Sequence, residues 1–347
     1  MHGAIVGWSH SAFGKCEEES VESLIASVAS NALEDAGIEA REVGQIYVGH
    51  FNAGFSAQSF PSSLVFNSLP ELRFKPATRV ENACASGSAA IHQGLHSLAG
   101  KKTRFALVIG VEKMTDSSGE SVARNLLKAS YLAQEAETEG GFAGVFGQIT
   151  NTYFQRHGDQ SQALANIAAK NHRNGCDNPY AQMRKDLGFE FCNSVSKKNP
   201  LVAGPLRRTD CSMVSDGAAA VVLTDFETAR GMAKGVGFRA AVQVNDFLPM
   251  SRRDCVRFEG AQQAWSEAFA QANLKLEDLS FVETHDCFTI AELLEYEAMG
   301  LTKTGEGARA VLESLSDTRS GGSFSSSVSS DAEGNMGSGR RRSARIS

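Results

Sequence analysis

Two short runs in this 347-residue sequence carry side chains suited to covalent and proton-transfer chemistry. The first is Glu81-Asn82-Ala83-Cys84-Ala85-Ser86-Gly87-Ser88-Ala89-Ala90. A thiol attacks only as thiolate, and a helix N-terminus stabilises that anion with its oriented N–H groups. The small residues after Cys84 leave the sulfur approachable, and the same N–H groups suit an oxyanion. The second run is Glu283-Thr284-His285-Asp286-Cys287-Phe288, which gathers a histidine, an acid and a second cysteine. A histidine donates or shuttles a proton near neutral pH, and a cysteine of tuned pKa acts as general acid or base. Both runs also admit a quieter reading, as a buried core cysteine at an ordinary turn and a packed His-Asp-Cys segment.

Both runs fall where a strand should feed a helix. Residues 3–8 read as a buried strand. A helix follows from Ser20, its N-cap, to Ala36, with Val21, Leu24, Ile25, Val28 and Leu33 as the apolar stripe and Gly37 as the stop. Val43 to Gly49 reads as a strand, and the Gly-, Ser- and Phe-rich loop Asn52–Pro61 as an edge of a site. Thr78 to Cys84 runs from strand to turn, Ile91, Leu95 and Leu98 continue as a helix, and Phe105 to Val111 is a further strand. Ser161–Asn171 is predicted helical, and Asp216–Thr224 is a buried strand. The pattern then restarts with strand at Ala240–Asn245, helix at Gly260–Asn273, strand at Leu279–His285 and helix at Thr289–Met299. This is an α/β fold of two layered halves in tandem. The halves are predicted at 1–225, with an insertion at about 113–205, and at 226–313, the second being incomplete. Residues 314–347 are rich in Ser, Gly and Arg, show no period and are expected to be disordered.

Composition narrows the function. About 42% of residues are apolar, enough for a large core, and the net charge of −6 argues against nucleic acid as the main partner. No apolar stretch reaches about 18 residues, so no membrane span is expected. The start, Met1 to Trp8, lacks the features of a signal peptide, and the last residues Arg345-Ile346-Ser347 are not a Ser-Lys-Leu address. The seven cysteines, at 16, 84, 176, 192, 211, 255 and 287, are odd in number and contain no Cys-x-x-Cys pair. A reducing, cytoplasmic setting without a metal site is the simplest expectation.

Taken together, the two runs resemble the thiolase superfamily. His285-Asp286-Cys287-Phe288 is similar to the signature of the sterol-carrier-protein-2-type thiolases and related bacterial thiolase-like acyl-CoA acetyltransferases, where other thiolases usually carry Asn-Glu-Ala-Phe. Further matches are Val108-Ile109-Gly110-Val111-Glu112-Lys113-Met114, Ser215-Asp216-Gly217-Ala218-Ala219, Glu292-Leu293-Leu294 and Glu297-Ala298-Met299-Gly300-Leu301. The resemblance covers about residues 3–313. It implies an acyl-CoA C-acyltransferase that makes or cleaves a carbon–carbon bond in 3-oxoacyl-CoA. Cys84 would hold the acyl group, His285 would stabilise the enolate of the second acyl-CoA, and Cys287 would move the proton at the reacting carbon. Phe146 in Val145-Phe146-Gly147 matches a pocket-lining position. CoA thioesters are substrates, so no cofactor is implied, and a homodimer or dimer of dimers is the family's assembly.

The sequence departs from the family after the last predicted helix. The Gly-His-Pro run and the Cys-x-Gly run are absent, and no His or Cys follows Cys287. Two explanations are open: a member that lost catalysis and kept the fold for acyl-CoA binding or scaffolding, or a change of reading frame or truncation near 313. The abrupt end of the resemblance after Glu313 favours the latter. A decarboxylating condensing enzyme of the same fold is disfavoured by the His-Asp-Cys-Phe run. A nucleic-acid or anionic-surface role for Arg340-Arg341-Arg342 is disfavoured by the acids nearby.

Overall fold

A computed structural model describes residues 3–313. In chain order the first elements are β1 (Ala4–His10), α1 (Val21–Ala36), β2 (Val43–Gly49), α2 (Val65–Ser68), β3 (Ala77–Val80), α3 (Ser86–Ala99) and β4 (Phe105–Glu112). There follow α4 (Gly119–Leu127), α5 (Leu132–Glu135), α6 (Gly141–His157), α7 (Ser161–Gly175), α8 (Gly188–Asn193), β5 (Leu201–Ala203) and β6 (Leu206–Arg207). The last are β7 (Gly217–Thr224), α9 (Phe226–Arg230), β8 (Val236–Gly237), α10 (Glu259–Ala272), α11 (Thr289–Ala298) and α12 (Ala308–Leu312). The class is mixed α/β. Within the described residues, 3–118 and 214–243 form one compact unit, and 119–213 with 244–313 form another.

The first unit is built on a six-stranded mixed sheet of order β3-β2-β4-β7-β1-β8. β2 runs parallel to β3 and β4, and β7 runs antiparallel to β4 and β1. Side chains alternate along each strand, so a strand covered on both faces needs apolar residues at every position. In β4, Phe105, Leu107, Ile109 and Val111 join the core that holds α1, while Ala106 and Val108 join the core that holds α3. β7 divides the same way, with Ala218, Ala220 and Val222 on one face and Val221 and Leu223 on the other. The ends of α1 are those the sequence predicts. Ser20 Oγ accepts the Ser23 N–H at 3.1 Å, Ser23 Oγ accepts the Ser20 N–H at 2.8 Å, and Gly37 closes the helix at φ 68°.

The second unit is mainly helical. Tyr153, Leu164, Ile167, Leu293, Leu294 and Tyr296 form its core, contributed by α6, α7 and α11. Its β-structure among the described residues is the short pair β5–β6. The strands expected at Ala240–Asn245 and Leu279–His285 form no ladder there. β-propensity makes a strand only where a neighbouring strand runs alongside, and here Val282 forms an isolated bridge and not a ladder. The low-complexity tail at 314–347, and with it the sequence change expected near 313, lies outside the described residues.

Candidate functional site

Cys84 sits on a tight turn between β3 and α3, and its thiol is exposed. The turn is made by local hydrogen bonds. The Ala85 N–H donates to Asn82 O at 3.0 Å and the Ser86 N–H to Ala83 O at 3.1 Å. Glu81 accepts the Ala83 N–H at 2.6 Å, and Ser86 Oγ accepts the Asn82 N–H at 2.9 Å. Ala83 pays for this tightness with φ 47°, a left-handed conformation that residues bearing a Cβ seldom adopt. The result lifts the next residue, Cys84, to the end of the helix. Gly49 lets the helix come close: a Cβ there would lie 2.7 Å from Ser86 O and 3.0 Å from Gly87 Cα.

A second loop is fastened beside this turn. The His50 N–H donates to Val80 O at 3.1 Å, at the end of β3. Arg79 donates to His50 O at 2.9 Å and Phe51 O at 2.7 Å. The buried Glu112 accepts the N–H groups of Phe51 at 3.0 Å and Asn52 at 3.2 Å. His50, 1% exposed, places Nδ1 2.9 Å from Val111 O, and burial pushes its pKa down. The sequence shows the loop from Asn52, and Glu112 as part of a family match, but not His50, whose only signal is polarity at the end of a buried strand.

His285 and Cys287 share one extended segment of the second unit. Burial alternates along it: Thr284, Asp286 and Phe288 are buried, His285 is exposed and Cys287 is half-buried. His285 and Cys287 are thus the less buried side chains of the segment, which bends at Cys287. Cys287 O accepts the Ser212 N–H at 3.0 Å, and Phe288 bridges to Cys211. His285 has an open face yet is crowded by protein, and the lost solvation holds its imidazole below the usual range.

The inward side chains are held by distant residues. Phe288 stacks on Phe146 of α6, with centroids 4.3 Å apart, so Phe146 belongs beside this segment. Asn171 of α7 donates through Nδ2 to Asp286 at 2.7 Å and to Glu292 at 2.8 Å. Lys170 pairs with Glu292 and lies 3.0 Å from the Tyr296 hydroxyl, which also donates to Glu292. Burial and the neighbouring Glu292 push the Asp286 carboxyl well above the usual range, and the same two causes raise Glu295, which accepts the His285 backbone N–H. Burial opposes the charge on Lys170, but Glu292 and Tyr296 hold it protonated beyond its ordinary range.

Of the expected site residues, Cys84 lies in the first unit, and His285, Cys287 and Phe146 lie in the second. Arg207 is buried. It donates to Asp210 at 2.9 Å and Ser161 O at 2.7 Å, and Thr289 donates to the same Asp210 at 3.0 Å. Among the described residues no group of His, Cys, Asp and Glu is arranged to hold a metal ion, and no helix is long and apolar enough to cross a membrane.

Most of the sequence matches known thiolase sequences. The thiolase N-terminal domain matches residues 3–227, and a thiolase C-terminal-domain-like model matches 241–329, past the point where the resemblance was expected to stop. The chain belongs to the thiolase family and is an acyltransferase of the thiolase type. Among its relatives, an acetyl-CoA acetyltransferase of Methanothermobacter thermautotrophicus is 35% identical over 311 residues, 88% of this chain and 79% of the relative. The acetyl-CoA acetyltransferase of Methanocaldococcus jannaschii is 34% identical over 315 residues, 89% of this chain and 79% of the relative. Among solved structures, the Ltp2-ChsH2(DUF35) aldolase aligns with a TM-score of 0.78 at 19% identity, over 94% of this chain and 83% of that one, a likeness of fold alone.

Proposed function

We propose that the chain forms an acyl-enzyme on Cys84 and makes or cleaves a carbon–carbon bond in 3-oxoacyl-CoA. The observation that carries this is the exposed Cys84 thiol on the tight turn that opens α3. There the helix N-terminus would favour the thiolate, and the Cys84 N–H would help stabilise the oxyanion formed when sulfur attacks a carbonyl. In condensation, Cys84 displaces CoA from one acyl-CoA. Cys287 then takes the α-proton of a second acyl-CoA, and the resulting carbanion attacks the acyl carbon and expels the Cys84 thiolate. His285, its pKa held down by the surrounding protein, is neutral near pH 7 and donates an N–H to the enolate oxygen. Thiolysis runs the same steps backwards, with Cys287 returning the proton to the leaving enolate. Splitting the reaction in two through a thioester is what the covalent intermediate contributes. Phe146 would line the acyl pocket. CoA thioesters are the substrates, and homodimeric or tetrameric assembly and a cytoplasmic setting belong to the same reading.

A second reading is favoured by one observation: no histidine follows His285 in the sequence. In it, the chain binds acyl-CoA without turning it over. Intact-mass measurement after incubation with acetyl-CoA or acetoacetyl-CoA separates the two, with Cys84→Ala as control. An acyl adduct that disappears in Cys84→Ala supports the enzyme. Binding of CoA without an adduct supports the binding protein.

A further inference from the structure

The insertion helices do more than pad the second unit. Asn171 stands 115 residues before Asp286 in the chain, yet its amide bridges the Asp286 carboxyl and the Glu292 carboxyl at 2.7 and 2.8 Å. Asp286 is 6% exposed and Asn171 is 2% exposed, so neither bond has water as a substitute. Glu292 is itself fixed by Lys170 and Tyr296 at 0–6% side-chain exposure. Asp286 is therefore the buried peg of a segment whose less buried side chains are His285 and Cys287. A peg bonded to a rigid helix fixes the phase of the segment, and the phase decides which side chains face out.

We infer that Asn171, through Asp286, is a positioning residue that sets the orientation of His285 and Cys287, with Lys170, Glu292 and Tyr296 holding Asn171's other anchor in place. The inference rests on the proposed function for its kinetic consequences, but not for its geometry. No bond is made or broken by Asn171. Its contribution is to hold a proton-transfer thiol and a hydrogen-bond donor at one angle, and small misplacements of such groups are costly to rate. Asp286→Ala should have the same effect from the other side of the bond. Asp286→Asn keeps the shape and an acceptor oxygen, so it should restore the arrangement.

The experiment uses the full chain and two readouts. The first needs no catalysis: site-resolved alkylation by iodoacetamide, followed by peptide mass spectrometry, with Cys84 as the internal standard. Asn171→Ala and Asp286→Ala should change the Cys287 rate by about 5-fold or more while Cys84 stays within about 2-fold, and Asp286→Asn should match wild type. The second is thiolysis of acetoacetyl-CoA, normalised to the amount of Cys84 that acylates. Both alanine variants should lose about 10- to 100-fold in kcat with KM little changed, and Asp286→Asn should stay within about 3-fold. A merely structural role would lower Tm and the acylatable fraction but leave kcat per acylated site unchanged. Unchanged Cys287 alkylation in a folded Asn171→Ala or Asp286→Ala protein overturns the inference, whether or not the chain is active. Absence of a Cys84 adduct in wild type overturns the proposed function instead, and the alkylation result still decides the positioning role. Should Asn171→Ala not fold, Asp286→Ala, which leaves α7 untouched, gives the same reading.

Discussion

The Cys84 turn and the His285–Cys287 segment present reactive groups by opposite means. The turn is held by its own six residues, with a left-handed Ala83 and backbone and side-chain bonds that run from residue 81 to residue 86. The segment draws much of its support from elsewhere. It is pinned by Phe146, Asn171 and Ser212, each far away in sequence. The turn should therefore tolerate most changes outside its own few residues, Gly49 excepted, whereas the segment should be sensitive to helices that carry no chemistry.

The largest test of that contrast is Lys170→Ala. It leaves Glu292 buried without its cation, which costs about 3–5 kcal/mol, and calorimetry should show a clear fall in Tm. Well below the transition, Cys84 should still acylate. If acylation is lost in folded protein, the two regions are not independent. Ala83→Val should do the reverse. A β-branched residue at φ 47° costs about 1–3 kcal/mol, and Cys84 acylation should slow while Cys287 alkylation is unchanged. Ala83→Gly, free of that strain, should fold at least as well as wild type.

The two units should also answer pH in opposite directions. Burial alone would raise the Asp216 carboxyl, but hydrogen bonds from Lys113, Thr115 and Met114 hold it below the usual range. Its stabilisation is present above the unfolded value of about 4 and is lost as pH falls through the lower folded value. Asp286 and Glu295 are raised, so theirs is full below an unfolded value of about 4 and is lost as pH rises through the folded values. Asp286→Asn should accordingly raise Tm more at pH 8 than at pH 5, and an equal gain at both would remove Asp286 from the account. The smallest effect expected is Phe146→Leu. Loss of its stacking on Phe288 is worth about 0.5–1.5 kcal/mol, and should appear as faster hydrogen exchange at 286–289 with none at 82–86.

The same contrast explains what could be read from the sequence. β4 and β7 were legible because a strand buried on both faces is apolar at every position, and α1 because Ser20 and Gly37 mark its ends. Cys84 was legible because its turn is made by its immediate neighbours. The peg at Asp286 was not, because an acid is ordinarily assigned to the surface and its partner Asn171 looks like any polar residue late in a helix. The burial of Arg207 was hidden for the same reason, since the fold supplies Asp210, Asn193 and Ser161 around it. The segments 240–245 and 279–285 have the composition of strands, but a strand is a relation between two pieces of chain, and composition describes one.

The alternation at 284–288 has a consequence for insertions and deletions. Its inward and outward positions are set by parity. Removing or adding one residue between Thr284 and Phe288 exchanges the roles of peg and reactive group, turning the acid out and the imidazole and thiol in. Removing or adding two shortens or lengthens the segment but preserves which residues face out. A stretch of five residues thus behaves as an odd–even counter, and length variation that survives there should come in steps of two.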